Sequence, residues 1–251
     1  LIEFALGRVA PWLPFYSLDT VHWTGPGNHP RRTGREATAG ELTDMLAVLL
    51  DPEANHGAAV GTVLAGYLRT PEQVAALAGA LHRSPDVRLI LDPVLGDDGR
   101  LYVPRETADA VAQLLATRAE YVLPNATELR FLAGNDPACG SELDLEELAV
   151  AYSRKIPGVV IAKSIPTASG LAVGVYRDGK GSLVASHAAA ETALRGSGDL
   201  FSALFSAHLA ANRSDETAAS ASALIAADLV LRGRPLRQAT AGLQPIELAR
   251  D

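Results

Sequence analysis

The strongest constraint on what this chain can fold into is a rhythm. Short runs rich in Val, Ile and Leu recur along it, each followed by a longer amphipathic stretch. "HGAAVGTVLAG" leads into "PEQVAALAGALHR", "VRLILD" into "PRETADAVAQLLATR", and "AEYVLPN" into "ATELRFLAG". The runs are continuously apolar rather than alternating, so both faces of each strand have to be buried. A mostly parallel sheet with helices on both faces meets that demand, a three-layer α/β architecture. "IPGVVIAKS", "SGLAVGVYRDGKG" and "SLVASHA" read as further strands; the last two are joined at Asp178 and Gly179 and add an antiparallel edge hairpin. From Asp199 onward the pattern is helical, through "DETAASASALIAADLVLRG" and then "PLRQATAGLQPIELAR", which Pro245 breaks. With no linker, repeat or change of composition along the way, residues 1–251 read as a single domain.

Composition narrows the function classes. The 251 residues, 48% hydrophobic and 20% charged, suffice for one sizeable core. A formal charge of -7 with scattered arginines argues against a nucleic-acid groove. Cys139 is the only cysteine, which excludes an internal disulfide or a thiolate zinc cluster and suits a reducing, cytoplasmic setting. The six histidines show no HExxH-like spacing. No apolar run approaches the roughly 18 residues of a membrane span, and "LIEFALGRVAPWLPF" carries no clear signal-peptide cleavage site. A soluble protein without a membrane partner is expected.

In doubly wound sheets ligands gather beyond the carboxyl ends of the strands, so the residues that close each apolar run are the candidates. "VRLILDPVLGDDGRLYVP" leaves Asp92 at a strand end, with Asp97 and Asp98 close behind. Carboxylates on such a loop can hold Mg²⁺ against phosphate oxygens, although Asp98 beside Gly99 reads better as a solvated turn. "YVLPNATELRFL" leaves Asn125 at a strand end and Glu128 three residues on, a spacing that a simple helix cap also satisfies. In "LRGSGDLFSALF", Gly196, Ser197 and Gly198 stand before an apolar helix with little side chain in the way of a ligand. Their N–H groups suit an anion, and Asp199 is either a base beside it or an ordinary helix cap.

Taken in order, "LDTVHW", "AGYLRTPEQ", "LDPVLGDDGRLYVP", "VLPNATELRFLAG" and "RGSGDLFSALF" resemble pyridoxal kinases of the ribokinase-like superfamily over most of the chain. The resemblance implies the ribokinase-like fold and an ATP-dependent kinase that phosphorylates the 5'-hydroxymethyl group of pyridoxal or a related B6 vitamer. It makes Asp199 the catalytic base and the N–H groups of Gly196, Ser197 and Gly198 the anion hole. It assigns Asp92 and Asp97 to the metal and nucleotide phosphates, Asn125 and Glu128 to the Mg²⁺ and ATP side, with Glu128 joining Asp92 as a metal ligand, and Ser164 to the nucleotide. Trp23, Thr24 and Tyr67 fall at the vitamer pocket. ATP and Mg²⁺ are implied, a monovalent cation is allowed, and a homodimer is expected.

Three departures bear on the acceptor side. The chain as given begins at "LIEFALGRVA", which reads as the helix after the family's usual first strand, so that strand is expected to be lacking. Gly27 stands where the family carries a threonine, and Arg195 precedes the glycine turn where an apolar residue is usual. A hydroxymethylpyrimidine kinase of the same superfamily is the nearest alternative, and a degenerate vitamer- or nucleotide-binding protein is the alternative from another class.

Overall fold

A computed structural model describes residues 2–24, 33–51, 53, 60–138, 144–188, 196–231 and 244–247. The helices are α1 (Ile2–Val9), α2 (Ala39–Leu49), α3 (Pro71–Arg83), α4 (Arg105–Ala110), α5 (Ala126–Leu132), α6 (Leu145–Ser153), α7 (Ser197–Ala210) and α8 (Asp215–Leu231). The strands are β1 (Val21–Thr24), β2 (Thr33–Glu36), β3 (Thr62–Ala65), β4 (Arg88–Leu91), β5 (Gly96–Asp97), β6 (Arg100–Leu101), β7 (Tyr121–Val122), β8 (Val159–Thr167), β9 (Gly170–Arg177) and β10 (Lys180–His187). Helix α4 runs on into a π-helical turn, Val111–Leu115.

Six strands form the central sheet in the order β10-β9-β8-β7-β4-β3. Strands β3, β4, β7 and β8 pair in parallel, and β9 and β10 complete one side antiparallel. The β9–β10 turn is made by Asp178 and Gly179 at φ 52° and 75°, the two left-handed residues that match the twist of a tight hairpin. Two small antiparallel hairpins, β1–β2 and β5–β6, stand apart from the sheet.

The apolar runs are continuous because each strand feeds two cores. Leu89, Leu91, Val122, Val160 and Ala162 point to one, against Leu77 and Leu81 of α3, the π turn's Val111 and Leu115, and Leu129 of α5. Ile90, Tyr121, Leu123, Val159 and Ile161 point to the other, against Val9 of α1, α7 and α8. With a side-chain period of two, a strand buried on both faces must be apolar at every position. Local signals set the helix starts. Thr70 accepts the N–H of Gln73 with Pro71 at the first helical position of α3, and Thr38 with Glu41 forms a capping box on α2.

The expected second C-terminal helix falls largely outside the described residues; within it, Gln244–Glu247 is neither helix nor strand. Gly27 and Arg195 also lie outside them. No helix among the described residues is long and apolar enough to cross a membrane.

Candidate active site

The site is assembled where four stretches meet at the carboxyl end of the parallel strands. Asp92 follows β4 directly and is buried, 4% exposed. Each carboxylate oxygen accepts a bond: Lys163 Nζ donates to Oδ1 at 2.9 Å, and Ser202 Oγ donates to Oδ2 at 2.6 Å. Ser202 sits one turn into α7, so the pair of bonds ties the middle of the sheet to that helix.

Lys163 reaches Asp92 by the alternation of β8: Val159 and Ile161 face the core of α7, and Lys163 continues that face. Ala162 pairs with Gly174 and Ile165 with Ala172, leaving Lys163 and Ser164 together opposite Val173. Ser164 takes a left-handed φ of 60°. The extra residue shifts the alternation beyond Lys163, so that Ile165 packs in the same core as Ala162. Burial by itself would lower the Lys163 pKa, but the carboxylates of Asp92, Glu128 and Asp199 outweigh it, and the shift is upward. The ammonium is therefore fixed as a charge.

Glu128 closes the opposite side. Its Oε2 accepts the N–H of Asn125 at 2.8 Å, and Asn125 Oδ1 accepts the N–H of Glu128 at 3.0 Å, a capping box at the start of α5. The cap is only half of its work. Glu128 Oε1 accepts the N–H of Leu95 at 3.0 Å, and Asn125 Nδ2 donates to the carbonyl of Gly96 at 2.8 Å. Both bonds pin the Asp92–Gly96 loop, in which Val94 is held at φ 46°, a strained setting for a β-branched residue. Burial first, then the Asp92 charge, pushes the Glu128 pKa up to about 7 against the pull of Lys163.

Helix α7 supplies the glycine turn. Gly196 is its N-cap at φ 93°, and no side chain caps the helix. The N–H groups of its first turn have no intrahelical acceptor and carry the positive end of the helix dipole. Asp199 is the third helical residue, not the cap, so the capping alternative for it is set aside. It is partly buried, and burial first and then the Asp92 charge raise its pKa, opposed by Lys163. Asp199, Asp92, Lys163 and Glu128 thus form one electrostatic group. Phe201 and Phe205 stack along α7 with centroids 6.2 Å apart, and Phe205 meets Tyr121 of β7 edge-on at 5.3 Å. The contact with Tyr121, worth about 0.5–1.5 kcal/mol beyond burial, helps to hold α7 over the sheet.

The other candidates are distributed around this group. Asp97 ends β5 exposed, accepting the N–H of Asp98, which is itself an exposed turn residue. Ser164 lies in the bulge beside Lys163. Tyr67 follows β3, partly buried; its carbonyl accepts from Thr20 and its hydroxyl from Arg69. The backbones of Trp23 and Thr24 are in β1, and their side chains lie outside the described residues.

Lys163 and Ser202 escaped the sequence reading. A lysine inside the apolar run "VVIAKS", where burial makes a charge costly unless it is paired, was the signal for the first. Tyr102 escaped it too. Its ring is half-exposed, and burial first, then the charges of Glu128, Asp97, Asp92 and Asp199, raises its phenol pKa.

In both metal candidates each oxygen already accepts one bond, in Asp92 from an ammonium and a hydroxyl, in Glu128 from two backbone N–H groups. Among the described residues no three His, Cys, Asp or Glu side chains are arranged to hold a metal ion. A Mg²⁺ carried on nucleotide phosphates keeps waters and needs only one or two carboxylates. The exposed Asp97 fits that need.

The phosphomethylpyrimidine kinase family model matches residues 53–239. The pyridoxine/pyridoxal/pyridoxamine kinase of Bordetella avium (strain 197N) is 33% identical over 178 residues, 65% of this chain and 57% of that one. The chain thus spans little more than half the length of that curated relative. Among solved structures, the pyridoxal kinase of Lactobacillus plantarum superposes with a TM-score of 0.73 at 19% identity, covering 89% of this chain and 84% of the other. The pyridoxal kinase of Leishmania donovani in complex with ADP and pyridoxamine gives a TM-score of 0.69 at 23% identity over 85% and 75%.

Proposed function

The chain belongs to the phosphomethylpyrimidine kinase family, with pyridoxal kinases as its curated relatives, and on that premise we propose that it is an ATP-dependent kinase for the 5'-hydroxymethyl group of a B6 vitamer. The observation that carries the reading is the uncapped start of α7 with Asp199 beside it and Lys163 facing it. A Cβ built on Gly198 would lie 3.7 Å from Lys163 Nζ, so the ammonium and the helix dipole converge on one point.

Phosphoryl transfer asks for positioning and charge neutralisation rather than covalent help. The N–H groups of Gly196, Ser197 and Gly198 receive the γ-phosphoryl oxygens, and Lys163 neutralises the charge that collects there. Asp199 takes the proton of the acceptor hydroxyl as that oxygen bonds to phosphorus, and the bond to the bridging oxygen breaks to release ADP. Its raised pKa makes it a better base than a free carboxylate. A bound Mg²⁺ would screen the nucleotide phosphates, with Asp97 as its carboxylate. Asn125, Glu128 and Ser164 shape the loops that border the nucleotide, while Trp23, Thr24 and Tyr67 form the vitamer side. The reading includes one kinase domain, a cytoplasmic setting and a homodimer, the last tested by light scattering against a monomer of 26.3 kDa.

The test is ADP release with pyridoxal, pyridoxine, pyridoxamine and hydroxymethylpyrimidine offered separately. Turnover with a B6 vitamer supports the proposal. Turnover with hydroxymethylpyrimidine alone transfers it to the pyrimidine branch, and release with none, with nucleotide still bound, makes the chain a binding protein.

A further inference from the structure

We propose that Lys163 is a resident cation of the phosphate site: its ammonium holds the position on Asp92 that a metal ion would otherwise fill, so the fold and nucleotide binding need no monovalent cation. The inference deepens the kinase reading and rests on it for the identity of the anion.

Three observations carry it. First, Asp92 already holds a cation, since Lys163 Nζ lies 2.9 Å from Oδ1, while Ser202 Oγ donates to Oδ2 at 2.6 Å. A second cation approaching Oδ1 would meet the ammonium at contact distance in a site where both side chains are 10% exposed or less, and like charges repel strongly at low dielectric. Second, the placement is built. Lys163 continues the face of Val159 and Ile161 toward α7, Asp92 continues that of Ile90, and both are buried, at 8% and 4% exposure. Third, the ammonium has more to offer than one bond. It carries three donors, and besides Asp92 it borders the Gly198 turn and stands 5.9 Å from the centroid of the Phe201 ring. A buried charge is stable only while paired, so Asp92 and Lys163 specify each other. The pair leaves the site a fixed positive point directed at the turn where phosphate would bind. A lysine cannot dissociate, so no solution cation has to be recruited.

The experiment reads melting temperature and the affinity for the β,γ-imido analogue of ATP with Mg²⁺, in potassium, sodium or tetramethylammonium chloride at matched ionic strength. For the parent chain both readouts are expected to be the same in all three salts. Lys163→Ser removes the ammonium and leaves Asp92 unpaired, so in tetramethylammonium its melting temperature should fall by roughly 6–20 °C and its analogue affinity at least about tenfold. Potassium or sodium should recover part of both. A parent whose stability or affinity rises with potassium or sodium over tetramethylammonium would overturn the proposal, as would a Lys163→Ser chain indifferent to the salt. If Lys163→Ser does not fold, the charge-free pair Lys163→Met with Asp92→Asn replaces it. That variant should bind the analogue at least about tenfold more weakly in every salt, and parental affinity in it would overturn the proposal. Neither readout requires turnover, so an inert chain with salt-independent stability would defeat the kinase reading and leave Lys163's place on Asp92 standing.

Discussion

Asp199 is where two roles for one carboxylate part most cleanly. As the third residue of α7 it makes no capping bond, and its surroundings make it more basic. Asp199→Asn preserves size and removes the proton acceptor, so turnover should fall by roughly 10²–10⁴-fold with a melting temperature no lower than the parent's and nearly unchanged nucleotide affinity. A fully active variant would leave the residue as a simple helix-terminal acid. Glu128 offers a different test, because its folded-state pKa, raised to about 7, exceeds the ordinary value of a free glutamate. Between the two values the folded chain keeps a proton that the unfolded chain has lost, so this group's contribution to stability declines as pH rises from about 4.5 to about 7 and is level above. Glu128→Gln removes the titration. Denaturant midpoints of parent and variant, measured across that window, should converge or cross in the variant's favour as pH rises, and parallel curves would show that the carboxylate titrates normally.

At the scale of elements, the start of α7 contains two glycines that answer to different physics. Gly196 needs its left-handed backbone, and a Cβ there costs about 1–2 kcal/mol. Gly196→Ala should therefore lower the melting temperature by roughly 2–8 °C and impair turnover together. Gly198 is in helical backbone with room for a methyl group, whose nearest neighbour would be Lys163 Nζ at 3.7 Å. Gly198→Ala should stabilise the helix by about 0.5–1 kcal/mol while setting a methyl group between the ammonium and the phosphate, so activity falls as stability rises. Parallel losses in both variants would mean that the turn is structural only. The glycines themselves were legible in the sequence, as were Asp92 and Asn125, because strand ends and helix starts leave local marks. Lys163 was harder to read. Its face follows from the alternation after Val159 and Ile161, but its partner Asp92 stands on another strand 71 residues away, and no feature of "VVIAKS" announces that pairing.

Across the whole molecule, the parallel arrangement and its antiparallel edge were readable for one reason: strands that feed two cores are apolar at every position, and that pattern survives in a single sequence. The β1–β2 pair was not readable, since Val21–Thr24 and Thr33–Glu36 form a sheet of their own with β2 exposed throughout, and nothing apolar marks β2. What the fold accomplishes is to join distant chain segments: Asp92 and Ser202 are 110 residues apart, Asp92 and Lys163 71. The bonds run from β4 in the middle of the sheet to β8 and to α7, which belongs to the second core. Occupying this junction should consequently stabilise the entire chain rather than one loop. At a hundred times its dissociation constant a ligand contributes about 2.7 kcal/mol, which for a chain of this size is roughly 5–11 °C in melting temperature. The β,γ-imido analogue of ATP with Mg²⁺ should produce that shift in the parent and an equal one in Asp199→Asn, which lacks only the base. In Gly198→Ala the shift at the same concentration should be much smaller, although that chain starts from the higher melting temperature. Equal shifts in all three would place the nucleotide away from the α7 turn and detach the phosphate site from the Lys163–Asp92 pair.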